Sequence, residues 1–302
     1  LLKGDVSLQD LSHPQDAYIF GNLSNLYADP DGIVFFVRNL SKDYKRVPPA
    51  LQHLGTISFR GEISGYFTDL VTYGEVRTDI GTVKTDVKFS SDKEKGYFSY
   101  SGAVKTAEFE LGKLLANDKF GKVTFNMDVK GSHYAKRYPS VTMKGLVASI
   151  DYSDYTYENI TLDGEYKQGG FNGNVSFDDE NGAIQLNGSI NTAGKIPTFN
   201  FRADVDHFRP NTLHLTPKYK DTEISVKIKA DFTGSSINDM NGEINIDSLQ
   251  YTAPDQSFFM DNLRIAATQN DERQKRLTIN SNFLRGTIEG DYSYQTLPTS
   301  VL

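Results

Sequence analysis

The sequence predicts an all-β protein of mostly antiparallel strands with a few short helices. Three observations carry this. Several segments alternate strictly between apolar and polar residues, turn signals recur roughly every 8–15 residues, and helical periodicity is scarce. Side chains on a strand point to opposite faces in turn, so each alternating segment has one apolar and one polar face. A parallel sheet buried on both faces would instead show continuous Val/Ile runs.

The clearest strands are Val123–Val129, Ile184–Asn187, Phe199–Val205 and Ile224–Phe232, each alternating without a break. Between such segments stand Asp29-Pro30-Asp31-Gly32, Asn181-Gly182, Lys195-Ile196-Pro197 and Asn241-Gly242. Asn-Gly between alternating segments predicts a hairpin with a type I′ turn, which needs two positive φ angles. About 17 strands follow, from near Ile33 to near Tyr294. At about 4.8 Å per strand, one continuous sheet would run roughly 80 Å and would have to curl, split or close.

Helical spacing is confined to short pieces. Glu108–Leu115 carries apolar residues at 111, 114 and 115, the stripe of a short helix. Pro48–Leu54 predicts another with proline at its start, and a third helical turn is expected after Arg209-Pro210.

Composition narrows the function. The 302 residues carry 32 Lys+Arg against 39 Asp+Glu, a net charge of −7, which disfavours a non-specific nucleic-acid binder. With no cysteine there is no disulfide scaffold, thiolate metal site or cysteine nucleophile. The longest apolar run is Ile33–Val37, far short of the roughly 20 residues of a membrane-spanning helix. No segment reads as a signal peptide. The chain begins at Leu1 rather than Met, and the expectation is a piece of a longer protein.

Chemistry-bearing motifs are scarce, and neither an enzyme nor a cofactor is expected. The histidines at 13, 53, 133, 207 and 214 lack metalloprotease spacing, and neither a nucleophile elbow nor a phosphate loop occurs. Gly169–Gly173 reads as a turn entering a strand. In Asp178–Gly182 the acids are not at alternate positions and the later glutamate of a calcium loop is missing, so it reads as a solvated hairpin tip. Asp163 and Glu165 have the residue types of a glycosidase pair, but acids on polar strand faces make such pairs commonplace. The sequons at Asn22, Asn39, Asn159, Asn174 and Asn187 lie in Asn/Ser/Thr-rich strands and are not assigned as glycosylated. Asp271–Arg276 is mixed in sign and reads as a solvated loop.

What remains is the apolar face. It could pack on a second sheet as a β-sandwich, face lipid as an outer-membrane barrel, or line an open groove. Charged residues at both ends of many strands and weak aromatic girdles speak against the barrel. Periodicity does not separate sandwich from groove.

Several motifs resemble a known family. Gly234–Tyr251 is similar to the glycine-x-x-leucine-x-x-(leucine/methionine)-x-glycine-x-isoleucine repeat of AsmA-like and TamB-like proteins. Phe59–Gly65 followed by Gly74–Asp86 resembles the TamB-type proteins of the Bacteroidetes, and Phe109–Leu115 and Tyr157–Gly164 add to the likeness, which covers roughly residues 45–294. The resemblance implies a long antiparallel sheet curled into an open apolar groove, a β-taco. Residues 1–55 would be leading strands and a short helix, and 56–302 the continuous groove. It further implies a periplasmic segment of a protein anchored in the inner membrane by an N-terminal segment outside this sequence. Such a segment would shield phospholipid acyl chains in transit between inner and outer membranes. The alternative function is assembly of outer-membrane proteins with a barrel partner of the TamA/BamA type. No nucleic acid enters either account.

On this reading the groove would be lined by Val123, Phe125, Met127, Val129, Ile160, Leu162, Phe171, Val175, Phe177, Ile184, Leu186, Phe199, Phe201, Val205, Ile224, Val226, Ile228, Phe232, Ile244 and Ile246. Each would equally serve as sandwich core. Each CH₂ kept from water contributes about 0.8 kcal/mol, so a continuous apolar wall suffices to carry acyl chains past water. A third reading is a secreted carbohydrate-binding sandwich, with Tyr152, Tyr155 and Tyr157 as its aromatic platform.

Overall fold

In the computed structural model, residues 1–10, 12, 17–32, 52–92, 96–134, 139–269 and 274–291 are described. They form one open, 17-stranded antiparallel sheet, not closed into a barrel. All-β is therefore the fold. Neither unit by itself builds a sandwich or a barrel among its described residues. The chain divides into two compact units, Leu1–Ile160 and Thr161–Leu302.

The first unit contains β1 (Leu2–Gln9), β2 (Tyr18–Ala28), β3 (Ile57–Tyr66), β4 (Asp69–Thr78), β5 (Gly81–Asp92), β6 (Tyr97–Glu110), β7 (Phe120–Tyr134) and β8 (Ser140–Tyr152). One short helix, α1 (Leu111–Leu115), joins β6 to β7. Strand β9 (Tyr155–Lys167) spans the boundary between units. The second unit continues with β10 (Gly170–Asp179), β11 (Gly182–Asn191), β12 (Thr198–Phe208), β13 (Glu223–Thr233), β14 (Asn241–Ala253), β15 (Gln256–Gln269), β16 (Lys275–Asn280) and β17 (Arg285–Gly290). Strands β1 to β8 and β9 to β17 pair consecutively in antiparallel register, as in β10 with β11, where Gly170 faces Asn191 and Asp179 faces Gly182.

The number of strands agrees with the periodicity, but their limits differ. Two strands precede Ile33, and the last ends at Gly290. Ile33–Val37 and Tyr294 lie outside the described residues, as do Asn39, His13, most of Pro48–Leu54 and Asp271–Arg273. Asp29-Pro30-Asp31-Gly32 opens a helical turn rather than a hairpin. Asp29 Oδ1 accepts from the Gly32 N–H at 2.7 Å, an N-cap followed by proline at the first helical position.

Two Asn-Gly expectations also change. Asn241-Gly242 lies inside β14. Asn181 sits in the two-residue β10–β11 turn, but neither it nor Glu180 has positive φ. The Asp179 carboxylate instead accepts from the Asn181 N–H at 2.9 Å, and this side-chain turn sets the backbone. Both central residues have positive φ in two other tight hairpins. They are Ser153 (51°) and Asp154 (64°) between β8 and β9, and Gln168 (53°) and Gly169 (74°) between β9 and β10.

Each unit closes one end of its sheet with the same device. In the first, β6 bulges between Thr106 and Phe109, and in the second, β12 bulges between Val205 and Phe208. The bulge residue has positive φ in both, Glu108 at 50° and His207 at 39°. Its N–H donates across the strand to a hydroxyl at 3.0 Å, Thr124 for Glu108 and Ser225 for His207. The next residue is phenylalanine, and the one after returns its N–H to the preceding hairpin: Glu110 to the Ile80 carbonyl at 2.9 Å, Arg209 to the Asn181 carbonyl at 3.0 Å.

A cap follows each bulge. In the first unit it is α1, which starts at Leu111 rather than at Glu108 because β6 persists to Glu110. Its Leu111 and Leu114, with Leu54, pack on Ile80, Phe109 and Val123, while Leu115 is exposed. In the second it is the turn 210–215, which is not a regular helix. There the Leu213 N–H bonds the Arg209 carbonyl and the Leu215 N–H the Pro210 carbonyl, both at 3.0 Å, and Leu213 is fully buried.

Candidate functional site, an apolar sheet face

Residues directly opposite each other on neighbouring strands share a face, so the registers convert alternation into rows. In the second unit one row runs Tyr166, Phe171, Ile190, Phe199 and Phe232, with the last two rings stacked at 4.7 Å. The next holds Gly164, Gly173, Gly188, Phe201, Ala230, Ile244, Ile265 and Ile279. A third holds Leu162, Val175, Leu186, Ala203, Ile228, Ile246 and Leu263, and a fourth Phe177, Ile184, Val205, Val226, Leu249 and Met260. Ile224 pairs with Phe208 and Tyr251 at the end of the same face. None of these positions is charged.

The first unit repeats the arrangement. Val123 lies between Phe109 and Ile150, Phe125 between Thr106 and Val147, Met127 between Val104 and Gly145, and Val129 between Gly102 and Met143. Ile160, two residues before Leu162, has the same parity on β9. Every other expected lining residue thus falls on the apolar face of its own unit.

Burial separates this face from a packed core. Val123 at 4%, beside the α1 cap, and Phe177 at 7% are buried. All the other expected lining residues are half-buried. A core side chain between two layers would be covered on every side. Here the neighbours are other residues of the same sheet and the two end caps, and no second layer over either unit's face is found among its described residues.

The opposite face is polar. One row reads Asn174, Asn187, Arg202, Lys229, Asn245, Arg264 and another Ser176, Gln185, Asp204, Lys227, Ser248, Asp261. Arg264 holds Glu243 through Nη2 at 2.6 Å and Nε at 3.1 Å, and this pair with Asn245 keeps the Glu243 carboxyl below its usual range. Hydrogen bonds from Ser90 and Lys88 do the same for Asp69. These pairs are exposed, so each contributes little to stability; their effect is to keep this face wet.

The bulge in the second unit carries a coupled pair. His207 Nε2 reaches the Asp179 carbonyl at 3.2 Å and Nδ1 lies 3.5 Å from Asp206 Oδ2. The Asp179 carbonyl, and then Asp206, raise the His207 pKa against a desolvation that lowers it. Hydrogen bonds from Ser225 and His207 lower that of Asp206.

Periodicity missed part of the face. Leu249, Met260, Leu263, Ile265 and Ile279 belong to it, and alternation slips between Ile246 and Leu249 and between Met260 and Leu263. The visible signal is a spacing of three instead of two: Ile246 to Leu249, Val205 to Phe208, and Val147 to Ile150. Each marks a bulge or register shift.

Other candidates resolve differently. Asp163 and Glu165 are neighbours on one face of β9, opposite Asn174 and Asn172. Tyr155 and Tyr157 pack edge to face at 4.9 Å and are half-buried, as is Tyr152 against Phe120 at 5.0 Å, so they do not form an exposed platform. Asp178–Gly182 is a hairpin turn. No helix of the described residues is long and apolar enough to cross a membrane. No family model matches the chain, and neither a curated protein nor a solved structure does.

Proposed function

We propose that the apolar face shields the acyl chains of phospholipid, and that this chain is a periplasmic segment of an inner-membrane-anchored protein moving lipid between inner and outer membranes. The observation that supports it is the half-burial of continuous apolar rows with no second layer within either unit among its described residues. Uncovered apolar surface of this extent marks a binding face. Hydrocarbon suits it, because the rows are long, uncharged and without the convergent polar groups of a small-molecule site. The likeness of the Gly234–Tyr251 segment to TamB-like repeats supports the same reading. The polar reverse face keeps such a carrier in water.

The test is photo-crosslinking. A diazirine-bearing residue at Val226 or Phe125 is expected to label acyl chains in cells and in extracts, and one at Lys227 is not. Purified, folded protein that carries no extractable lipid and never labels from the apolar face would overturn the proposal.

Strand β1 favours a second reading, assembly of outer-membrane proteins alongside a TamA/BamA-type barrel. It pairs with β2 and is exposed along its length, with Leu2, Val6 and Leu8 in the open. Edge strands accept added strands. Crosslinks from β1 to nascent barrel strands, with none to lipid from Val226, are the result that would favour it.

A further inference from the structure

Strand β1 stands at an edge of the first unit's sheet. Strand β2 pairs with one side of it, and among the described residues nothing pairs with the other. All eight of its residues are exposed. The strand itself is regular: the register shift between Lys3 and Gly4 comes from an extra residue on β2, Ser24.

Two hydrogen bonds fix the direction of its backbone groups. The Leu1 N-terminus donates to the Tyr27 carbonyl at 3.0 Å, and the Tyr27 N–H returns to the Leu1 carbonyl at 2.8 Å. Backbone groups alternate in direction along an antiparallel strand, so Leu1, Lys3, Asp5 and Ser7 turn theirs to β2. Those of Leu2, Gly4, Val6 and Leu8 face the open edge. The Lys3 carbonyl accordingly also accepts from Ser24 Oγ on β2, at 3.1 Å. An open row of donors and acceptors is a template for another strand.

Side chains choose which strand. Gly4 lies opposite Leu23, in the row that runs through Gly61, Gly74, Thr85 and Val104 to Met127. Leu2, Val6 and Leu8 therefore belong to the apolar face, and Lys3, Asp5 and Ser7 to the polar one. Lys3 and Asp5 are opposite in charge, and neither side chain has a partner among the described residues.

Such a strand is complementary to itself. In antiparallel pairing about Gly4, Lys3 stands opposite the partner's Asp5 and Asp5 opposite the partner's Lys3, while Leu2 meets the partner's Val6 on the apolar face. The outward Leu2, Gly4 and Val6 form the hydrogen-bonded pairs. Lys3 and Asp5 fall in the other pairs, where side chains come closer. Pairing about Asp5 would instead set that carboxylate against its own copy, which like charge opposes.

We propose that β1 joins two copies of this chain edge to edge, by antiparallel pairing of Leu1–Ser7 about Gly4. The two-fold axis stands perpendicular to the sheet, so the first unit's apolar face continues from one copy into the other on the same side. The contact is small, so the dimer dissociates on dilution. It also occupies the edge that a nascent barrel strand would need.

The experiment is sedimentation velocity of the full chain over a wide range of concentration, with melting curves to show that each variant is folded. A reversible monomer–dimer equilibrium is expected. V6P removes an outward N–H, leaves the β2 ladder intact and should give monomer. K3E and D5K each set like charges opposite one another in both pairs, and each alone should dimerise about tenfold more weakly at low salt. An equimolar mixture of K3E and D5K should regain the unmodified affinity, because opposite charges again face each other across the two strands. A chain that is monomeric at every concentration overturns the inference and leaves the edge to a nascent strand. A dimer that survives V6P, or a mixture that associates no better than K3E or D5K alone, overturns it too.

Discussion

Phe208 lies across Gly182: a Cβ on that glycine would stand 2.8 Å from the ring carbon Cδ2 and 3.3 Å from the Phe208 Cα. Phe109 bears the same relation to Gly81, again at 2.8 Å from Cδ2. In each unit an aromatic ring therefore occupies the space of a missing side chain at the hairpin entering the strand before the bulge. Gly182→Ala has no easy relief, because backbone as well as ring stands in the way. Overpacking of this kind costs about 1–3 kcal/mol. Urea unfolding should show a lower midpoint for G182A with unchanged slope, and an unchanged midpoint would show that the ring is not fixed there.

Adjacent residues should differ sharply by face. Phe201 sits in an apolar row and Arg202 in a polar one. F201K should abolish lipid labelling from the Val226 position and cost about 1–3 kcal/mol of stability, in the ordinary range for a half-buried site. R202Q should leave both within error. Equal loss in the two variants would mean that the effect was on folding and not on the face.

The His207–Asp206 bulge predicts a pH window. The His207 pKa is raised in the folded state. Its contribution is therefore present below the ordinary histidine value of about 6.5 and is lost as pH rises through the folded value. The Asp206 pKa is lowered, so its contribution is present above about 4 and is lost as pH falls through the folded value. Stability of the second unit should be greatest between these limits. The melting temperature of the unmodified protein should fall between pH 6 and pH 8 relative to H207N, which tolerates the positive φ of 39° but cannot be protonated. Parallel curves would remove the histidine from the account.

The β8–β9 turn offers a gain. Ser153 and Asp154 adopt the positive φ pair of a type I′ turn, for which Asn-Gly is better suited. The double substitution S153N/D154G keeps the Ser153-position N–H that donates to the Lys119 carbonyl at 2.7 Å. It should stabilise the first unit by about 0.5–1 kcal/mol, read by chemical denaturation; a loss would show that the Ser153 side chain matters more than the turn.

Much of the face was legible because its signal is local. Ile224, Val226, Ile228 and Phe232 alternate in the sequence and share a face in the structure. The turns were less legible. Asn181-Gly182 looks like a type I′ hairpin, but the Asp179 carboxylate captures the Asn181 N–H and decides the turn otherwise. Glu108–Leu115 has helical spacing, yet the bulge at Glu108 keeps the chain extended to Glu110, because its N–H finds the Thr124 hydroxyl on β7. Such partners are distant in sequence, and no local pattern contains them.

The sequence by itself determined that the strands are antiparallel, that each has a wet and a greasy face, and, within an unbroken run of alternation, which side chains belong to which, since period-two alternation needs no partner to be read. Only the tertiary structure decided how those faces are joined and covered. Register, the bulges that carry the rows past a slip in alternation, the caps formed by Leu111, Leu114 and Leu213, and the absence of a second layer within either unit among its described residues all depend on cross-strand hydrogen bonds and packing. The same alternating segments would serve a closed sandwich equally well. What an apolar face meets is a property of the assembled sheet and not of any one strand.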